Sequence, residues 1–224
     1  MTLDFDRDGV ALNDAAVSPD ILHKLAGEFE DAGVRVGARP FALSPTIQEL
    51  LAPSGILTQL AGQRAGNPAR PVRVLAFDKT PDANWYLPWH QDRVIAVKAR
   101  VDVAGFGNWT VKNGQHHVEA PARLLAMMLN LRLHIDDCDA ANGALKVLPG
   151  THHLGRLSDA EVKATATSGE PVICAVKAGG VLAMRALTIH ASDASTTPRR
   201  RRVLHVDYCW GSLPGELEWA LELE

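Results

Sequence analysis

The stretch GNPARPVRVLAFDK, residues 66–79, divides the chain into two parts with different sequence patterns. It begins with residues that favour turns and continues into an apolar, β-branched run typical of a strand. Further short runs of this kind follow it, separated by Gly, Pro, Asn and Asp: RVIAVKARVDV (93–103), LNLRLHID (129–136), ALKVL (144–148), PVICAV (171–176), GGVLAM (179–184) and RRVLHVDYCW (201–210). Because these runs do not alternate with helical patterns, they predict a mainly β protein with flanking helices, and a jelly-roll barrel is the leading architecture.

Helical patterns dominate the chain before residue 66. SPDILHKLAGEFED (18–31) combines the N-cap residue Ser18 with apolar residues at helical spacing. SPTIQELLAPSGILTQLAG (44–62) predicts a second helical stretch, interrupted by Pro53 and Gly55, and SDAEVKATATSGE (158–170) predicts a short helix or a lid between strands. The 224 residues are expected to form one domain, with its parts at these approximate bounds: a helical part at 1–68, a β core at 69–212 and a short tail at 213–224.

The composition is that of an ordinary globular protein, 46% hydrophobic and 22% charged. No apolar run approaches the roughly 20 residues of a membrane helix, so no membrane partner is expected. The three cysteines are widely spaced, which argues against a disulfide framework and favours the cytoplasm as the location. The net charge of −3 makes nucleic acid an unexpected partner, although RRRR at 199–202 is a local candidate for phosphate contacts. The sequence does not indicate an oligomeric state.

Two segments carry residues suited to holding a metal ion. In LPWHQDRVIAVKAR (87–100), His90 and Asp92 stand two positions apart, so in an extended chain both side chains point to the same side. In GGVLAMRALTIHASDAS (179–195), His190 follows an apolar run that is expected to return beside this pair. Two histidines and one carboxylate form the facial triad of non-haem Fe(II) oxygenases, whereas zinc more often takes a closed tetrahedral set.

Other histidines are expected at the surface. His116 and His117 fall in a polar loop, VKNGQHHVE (111–119). His152 and His153 follow the turn LPGTHH.

A run of four arginines follows His190. Arg201 comes eleven residues after that histidine, at the start of the strand-like RRVLHVDY, where a guanidinium is expected to bind a carboxylate through two hydrogen bonds. Strand alternation places Arg199 and Arg201 on one face and Arg200 and Arg202 on the other. Alternation alone does not say which face is inside.

Three segments together resemble the phytanoyl-CoA dioxygenase family of Fe(II)/2-oxoglutarate-dependent oxygenases. They are NWYLPWHQDR (84–93), LRLHIDDCDAANGALKVLPGTHHLG (131–155) and IHASDASTTPRRRRVLHVDY (189–208). The resemblance covers about residues 72–212. It implies a double-stranded β-helix, which is a cupin-like form of the jelly roll.

The resemblance also implies roles for individual residues. His90, Asp92 and His190 match the iron ligands, which form the catalytic centre. Arg201 matches the arginine that binds the far carboxylate of 2-oxoglutarate, and Arg202 takes that role if the strand register differs by one. No ligand position departs from the family pattern, since Asp92 is not replaced by a small residue as it is in relatives that halogenate.

Further residues are candidates for the walls of the site. Gln91 and Ser192 match family positions that often line the cosubstrate pocket, and Lys79 is close enough in sequence to the triad to pair with a carboxylate. Three tryptophans are candidates for a substrate pocket, although core packing is their more common fate: Trp85, Trp89 and Trp109. One face of the strand LNLRLHID is polar and is expected to face the barrel interior: Asn130, Arg132 and His134.

The implied activity uses Fe(II), 2-oxoglutarate and O2. A small-molecule substrate is hydroxylated at an unactivated carbon, and succinate and CO2 are released. The alternative is a non-catalytic jelly-roll module that binds a metal or ligand. The sequence does not identify the substrate.

Overall fold

The computed structural model describes residues 2–32, 38–40, 43–197 and 199–223. These residues contain six α-helices and thirteen β-strands. The helices are α1 (Phe5–Asp8), α2 (Pro19–Asp31), α3 (Pro45–Leu51), α4 (Ile56–Ala65), α5 (Ala122–Leu125) and α6 (Asp159–Ser168). The strands are β1 (Val10–Asn13), β2 (Ala38–Pro40), β3 (Arg70–Lys79), β4 (Leu87–His90), β5 (Val94–Val97), β6 (Gly107–Lys112), β7 (Gln115–Glu119), β8 (Met128–His134), β9 (Leu145–Val147), β10 (Val172–Cys174), β11 (Val181–Arg185), β12 (His190–Ser192) and β13 (Arg201–Cys209). Within these residues, no helix has the length and apolar character needed to cross a membrane.

Serine caps begin the predicted helices. Ser18 and Ser44 each accept a hydrogen bond from the backbone N–H three residues ahead, at the start of α2 and α3. At α6, Ser158 and Glu161 form a reciprocal capping box. These helical predictions are confirmed, including the interruption between α3 and α4 at residues 52–55.

The strands form three antiparallel sheets. A six-stranded sheet has the order β1-β11-β8-β13-β3-β2, a four-stranded sheet has the order β10-β9-β12-β4, and a three-stranded sheet has the order β5-β7-β6. Apolar side chains of β1 and β11 pack against those of β9 and β10, so the two larger sheets face each other. These side chains are Val10, Leu182, Met184, Leu145, Val147 and Cys174. The mainly β, jelly-roll prediction is therefore confirmed as two facing sheets.

The helices α2, α3 and α4 cover the outer face of the six-stranded sheet. Their apolar side chains share a core with alternate residues of β8 and β13. Buried members of this core include Leu25, Phe29, Ile47, Leu57, Leu131, Leu204 and Tyr208. Because strand side chains alternate between faces, the intervening polar residues of β8 and β13 point between the two larger sheets.

Both ends of the chain contribute to the sheets. Within residues 1–68, the strands β1 and β2 pair with β11 and β3, although both are too short to stand out in the sequence. In the C-terminal tail, Trp219 forms a β-bridge with Val97 and packs into the core beside α5. The helical part and the tail thus both contact the β core, and the single domain stays a prediction.

A β-hairpin made of β6 and β7 stands where the sequence analysis placed a polar loop. Asn113 and Gly114 connect the strands with positive φ angles of 52° and 76°, as a two-residue hairpin turn requires. His116 and His117 lie in β7, so the loop prediction for them is wrong. In the opposite direction, the strand predicted over residues 93–103 is too long, because β5 ends at Val97.

Leu131→Ala is expected to lower the free energy of unfolding by about 2–5 kcal/mol, because it opens a cavity between β8 and the helices. Leu131 is 1% exposed, whereas Leu154, in a 3₁₀ helix at Thr151–Leu154, is 55% exposed. The matched control Leu154→Ala should change that free energy by no more than about 0.5 kcal/mol. Urea denaturation followed by circular dichroism measures both. Equal losses in the two variants would contradict the assignment of the core.

Candidate active site

Antiparallel pairing of β4 with β12 brings together two histidines that are far apart in the sequence. His90 ends β4, His190 begins β12, and the two residues are direct partners in the register. Their ring centroids are 4.1 Å apart. Asp92 follows β4, and its carboxylate oxygens lie 3.8 Å from His90 Nε2 and 3.7 Å from His190 Nε2. One ligand atom of each residue lies within 4.8 Å of the others.

Hydrogen bonds on the far side of each imidazole fix which nitrogen faces this centre. Nδ1 of His90 is 2.8 Å from the carbonyl oxygen of Pro88, and Nδ1 of His190 is 3.0 Å from that of Thr188. A carbonyl only accepts, so each Nδ1 carries the proton and each Nε2 keeps a free lone pair. Burial, together with the neighbouring His90, lowers the pKa of His190 to about 3, so this ring is neutral at physiological pH.

The Asp92 carboxylate is held in place by the main chain and by a neighbouring side chain. The Asp92 N–H donates to the Ala186 carbonyl at 3.0 Å, and Asn130 Nδ2 donates to Asp92 Oδ2 at 3.1 Å. The side chain is 27% exposed, so one side of the centre opens to a cleft. Two imidazoles with free lone pairs and one carboxylate are the donor set of the facial triad, and the residues therefore fit an Fe(II) ion.

Two buried cations form a second cluster near the end of β12. Arg201 and Lys79 are cross-strand partners on β13 and β3, and they are only 7% and 1% exposed. Arg201 donates to the Gly143 carbonyl, and Lys79 Nζ donates at 2.9 Å to the carbonyl of Asp193, three residues after His190. Neither cation forms an ion pair with a described carboxylate. Burial, together with the Arg201 charge, lowers the pKa of Lys79 to about 8.

The backbone at Gly143 makes room for this cation pair. Its φ is +70°, and a Cβ there would lie 2.6 Å from the Asp193 carbonyl oxygen and 2.9 Å from Lys79 Nζ. Glycine alone combines this conformation with so close an approach. Gly143 of ANGALKV therefore lets the backbone approach the two cations closely.

The other arginines of the run point away from the interior and pair with carboxylates: Arg199 with Asp139, Arg200 with Asp78 and Arg202 with Asp136. Arg202, the alternative for cosubstrate binding, places Nε and Nη2 on the two oxygens of its partner at 2.8 Å and 2.7 Å. Arg201 is the member of the run that faces inward. The other three guanidiniums are already neutralised, which disfavours the run as a phosphate contact.

Several buried polar atoms on the inner faces of β8 and β13 have no hydrogen-bond partner within the described residues. They are Asn130 Oδ1, His134 Nδ1, Arg201 Nε and His205 Nδ1. Arg132 lies on the same face of β8, so the predicted polar face does look inward. Buried polar groups are nearly always paired in folded proteins, so such a cluster fits a bound polar molecule. 2-Oxoglutarate, with its two carboxylates, is a molecule of this kind.

The sequence model of the phytanoyl-CoA dioxygenase family matches residues 5–203. The chain belongs to the phytanoyl-CoA dioxygenase family. No curated protein sequence is a significant match. The predicted membership is thus confirmed, and it places the chain among iron- and 2-oxoglutarate-dependent oxygenases.

Solved structures of similar fold include AviO1, SnoN and HygX. AviO1 from Streptomyces viridochromogenes Tue57 is 25% identical, with a TM-score of 0.64 over 96% of this chain and 99% of that protein. The epimerase SnoN, in complex with Fe3+, α-ketoglutarate and nogalamycin RO, is 16% identical, with a TM-score of 0.68 over 97% and 93%. HygX from Streptomyces hygroscopicus, with nickel and 2-oxoglutarate bound, is 18% identical, with a TM-score of 0.63 over 92% and 84%. These likenesses show the cupin-like jelly-roll fold.

Gln91 and Ser192, which the family resemblance assigns to the cosubstrate pocket, differ from each other in their hydrogen bonding. Gln91 Nε2 donates to the carbonyls of Gly155 and Leu187, both at 2.8 Å, and its Oε1 accepts from the Leu157 N–H at 2.8 Å. The Gln91 side-chain amide therefore hydrogen-bonds to backbone groups, and it links residues 155–157 and Leu187 to the site. Ser192 is buried on the same face of β12 as the histidine ligand, and its hydroxyl has no partner within the described chain.

The tryptophans lie outside the cleft beside the metal ligands. Trp85 packs against Lys79, whose Nζ is 5.3 Å from the ring centroid. Trp89 joins a small core with α6, and Trp109 packs against the core of the hairpin sheet. Core packing, the more common fate, describes Trp89 and Trp109, whereas Trp85 shields the buried ammonium.

A polar network in the same interior, formed by His205, Asp207 and Arg73, was not predicted from the sequence. His205 Nε2 is 2.8 Å from Asp207 Oδ1, and Arg73 Nε donates to Asp207 Oδ2 at 2.5 Å. Burial alone would raise the pKa of Asp207, but Arg73 and His205 hold it well below its usual value. The signal was present in the sequence, since alternation along β13 puts His205 and Asp207 on the same face as Arg201.

Arg202→Met is expected to lower the free energy of unfolding by about 1–3 kcal/mol, because Asp136 loses its bidentate partner. Arg201→Met should leave that free energy within about 0.5 kcal/mol of wild type or raise it, because it removes a buried charge that has no carboxylate partner in the described chain. Urea denaturation without metal or cosubstrate measures both. An Arg201→Met loss as large as that of Arg202→Met would contradict the assigned strand faces.

Proposed function

We propose that the protein is an Fe(II)- and 2-oxoglutarate-dependent dioxygenase that hydroxylates a small-molecule substrate and releases succinate and CO2. One arrangement carries the proposal: the His90, Asp92 and His190 centre is connected through the β12 segment to a buried Arg201 and Lys79 pair that has no described carboxylate partner, because Lys79 donates to the carbonyl of Asp193, three residues after His190. Bound iron supplies the oxidation by O2 and the oxidative decarboxylation of 2-oxoglutarate. The residues of the chain bind, orient and shield the reactants.

The three ligand side chains hold the metal from one side. The backbone acceptors at both Nδ1 atoms aim the Nε2 lone pairs of His90 and His190, and Asn130 steadies Asp92. This leaves the other side open to the cosubstrate and the substrate. The pre-set orientation reduces the reorganisation that metal binding requires.

Arg201 and Lys79 hold the far carboxylate of 2-oxoglutarate, and the Ser192 hydroxyl is a lesser contact. The guanidinium offers two parallel donors, and the ammonium adds a second charge from the opposite strand. Burial strengthens both interactions because water does not screen them. Since Ser192 and His190 share one face of β12, a molecule held at Ser192 extends toward the metal ligands.

Cytoplasmic location is part of the proposal. The three cysteines are free and buried, which suits a reducing compartment. The competing hypothesis, a non-catalytic binding module, differs in one observable: it binds metal and cosubstrate without turnover.

Asp92→Ala is expected to abolish succinate formation from 2-oxoglutarate and to weaken metal binding, because the anionic ligand is lost. The fold should survive, since this carboxylate is partly exposed and adds little to the core. Asp193→Ala is the matched control, because that carboxylate is close in sequence to His190 but pairs with Lys146 at the surface. The measurements are succinate yield at equal iron, metal content and thermal melting.

Wild-type protein that binds metal and 2-oxoglutarate but forms no succinate, with or without candidate substrates, would overturn the enzyme hypothesis in favour of the binding module. Hydroxylation itself is tested by mass spectrometry, as a gain of one oxygen atom in the product. This control matters because SnoN, which is similar in fold, is an epimerase.

The affinity for 2-oxoglutarate is expected to fall as the pH rises from 7 to 9. Lys79 has a pKa lowered to about 8, so its ammonium is present below that pH and is lost above it. Lys79→Met should bind more weakly at pH 7 and show little of this pH dependence, whereas Lys163→Met, an exposed site on α6, should behave as wild type. Isothermal titration calorimetry with Mn(II) in place of Fe(II) measures these affinities.

In the same assay Arg201→Lys should bind 2-oxoglutarate at least roughly tenfold more weakly than wild type, since a point charge does not reproduce the planar fork. Arg202→Lys is its control. Weak binding in Arg202→Lys with normal binding in Arg201→Lys would show that the outer guanidinium, and not the inner one, holds the cosubstrate.

A further inference from the structure

A cleft of about 620 Å³ opens beside the metal ligands, between β3 and the β6–β7 hairpin. His90 and Asp92 are among the residues that line it. Arg73 and Leu75 of β3 form one wall, and Lys112 lies on the hairpin. Its volume suits a small molecule. Because β5 follows Asp92 almost directly and pairs with β7, the hairpin wall is tied to the metal ligand.

The charges that line this cleft are mostly positive. Its cationic residues are Arg73, Arg93 and Lys112, whereas Asp92, a proposed metal ligand, is the carboxylate among the lining residues. Arg93 is already engaged, because it donates to the Leu157 carbonyl and to Asp159. Lys112 has no ion-pair partner within the described residues, and Arg73, although it pairs with Asp207 through Nε, keeps its two terminal nitrogens for a ligand.

Arg73 is held so that part of its guanidinium stays available. Nε donates to Asp207, which is 5% exposed and is itself bonded to His205. The two terminal nitrogens of Arg73 have no hydrogen-bond partner within the described residues. A guanidinium fixed at one edge presents the other as a planar pair of donors.

Lys112 faces the same space from the opposite wall. It stands at the end of β6, across from Gln115, so strand alternation places it on the same face as His117, another lining residue. It forms no ion pair with any residue that the structure describes. Burial lowers the pKa of His117, and the charges of Arg73 and Lys112 lower it further. These cations therefore act on a common region.

We propose that the substrate carries an anionic group, a carboxylate or a phosphate, and that Arg73 and Lys112 bind it in this cleft. The inference rests on the proposed function, which assigns Arg201 and Lys79 to the cosubstrate carboxylate and so leaves these two cations to the substrate. A cleft with one sign of charge concentrates ligands of the opposite sign. Leu75 and Val94, on the same walls, give the carbon skeleton apolar surface beside the metal ligands.

The test is isothermal titration calorimetry on protein loaded with Zn(II), which prevents turnover, and with saturating 2-oxoglutarate. The probes are benzoate, phenyl phosphate and uncharged benzamide, which share one ring. An anionic probe should bind at least roughly tenfold more tightly than benzamide, and its affinity should fall with added salt. Binding of benzoate alone identifies a carboxylate substrate, and binding of phenyl phosphate alone identifies a phosphate ester.

Variants assign the binding to the two residues. Lys112→Ala, on an exposed hairpin, should weaken the anionic probe by roughly three- to tenfold, and Arg73→Lys, which keeps a charge for Asp207, should do the same. Lys163→Ala makes the same charge change on α6 and should leave the affinity unchanged. The affinity for 2-oxoglutarate should be the same in all of these proteins.

Equal affinity for benzamide and both anions overturns the proposal, as does unchanged affinity in both Lys112→Ala and Arg73→Lys. Failure of the wild-type protein to bind 2-oxoglutarate is a different result, because it overturns the proposed function. Binding of 2-oxoglutarate without binding of either anionic probe leaves the oxygenase intact and removes only the anionic substrate.

Discussion

The pairing of β12 with β4 is the interaction on which the rest of the site depends. The register places His190 directly opposite His90, and β12 is held on its other edge by β9. Backbone hydrogen bonds, which need no metal, therefore bring the two imidazoles together. Asp92 is fixed by its own N–H to Ala186 and by Asn130 of the facing sheet, so its position also follows from the sheets. Metal binding can then be tight without being needed for folding.

The six-stranded sheet separates two environments with opposite requirements. Its helix-covered face is apolar and supplies much of the hydrophobic stabilisation, whereas its inner face carries Asn130, Arg132, His134, Arg201, His205 and Asp207. Burying cations away from carboxylates costs stability, and a ligand that brings the negative charge offsets that cost. The inner face is therefore divided between two roles: β1 and β11 pack an apolar core against β9 and β10, whereas β8 and β13 present polar groups that suit a bound ligand.

Sequence patterns predicted most of this arrangement where the relevant signal was local. The i, i+2 spacing of His90 and Asp92, the serine caps and the long strands all follow from short-range geometry. The choice between Arg201 and Arg202 did not, because it depends on Asp136 and on residues of β3 that only the folded chain brings near. The role of Gln91 in the cosubstrate pocket, which the family resemblance alone implies, stays a prediction. Its amide hydrogen bonds to the backbone of Gly155, Leu187 and Leu157 depend on contacts that only the folded chain creates.

The β6–β7 hairpin was missed although its Asn113-Gly114 turn is a strong local signal, because its strands are polar and short. Its pairing with β5 uses main-chain hydrogen bonds, so the side chains on its cleft face are free to differ without altering the sheet. The histidine ligands, in contrast, belong to the four-stranded sheet. Lys112, one of the two proposed substrate contacts, is therefore encoded in a different stretch of the gene from His90 and His190. With Lys112 as a proposed substrate contact, a few codon changes in this one hairpin can alter substrate preference in a lineage while the codons for His90 and His190 stay as they are.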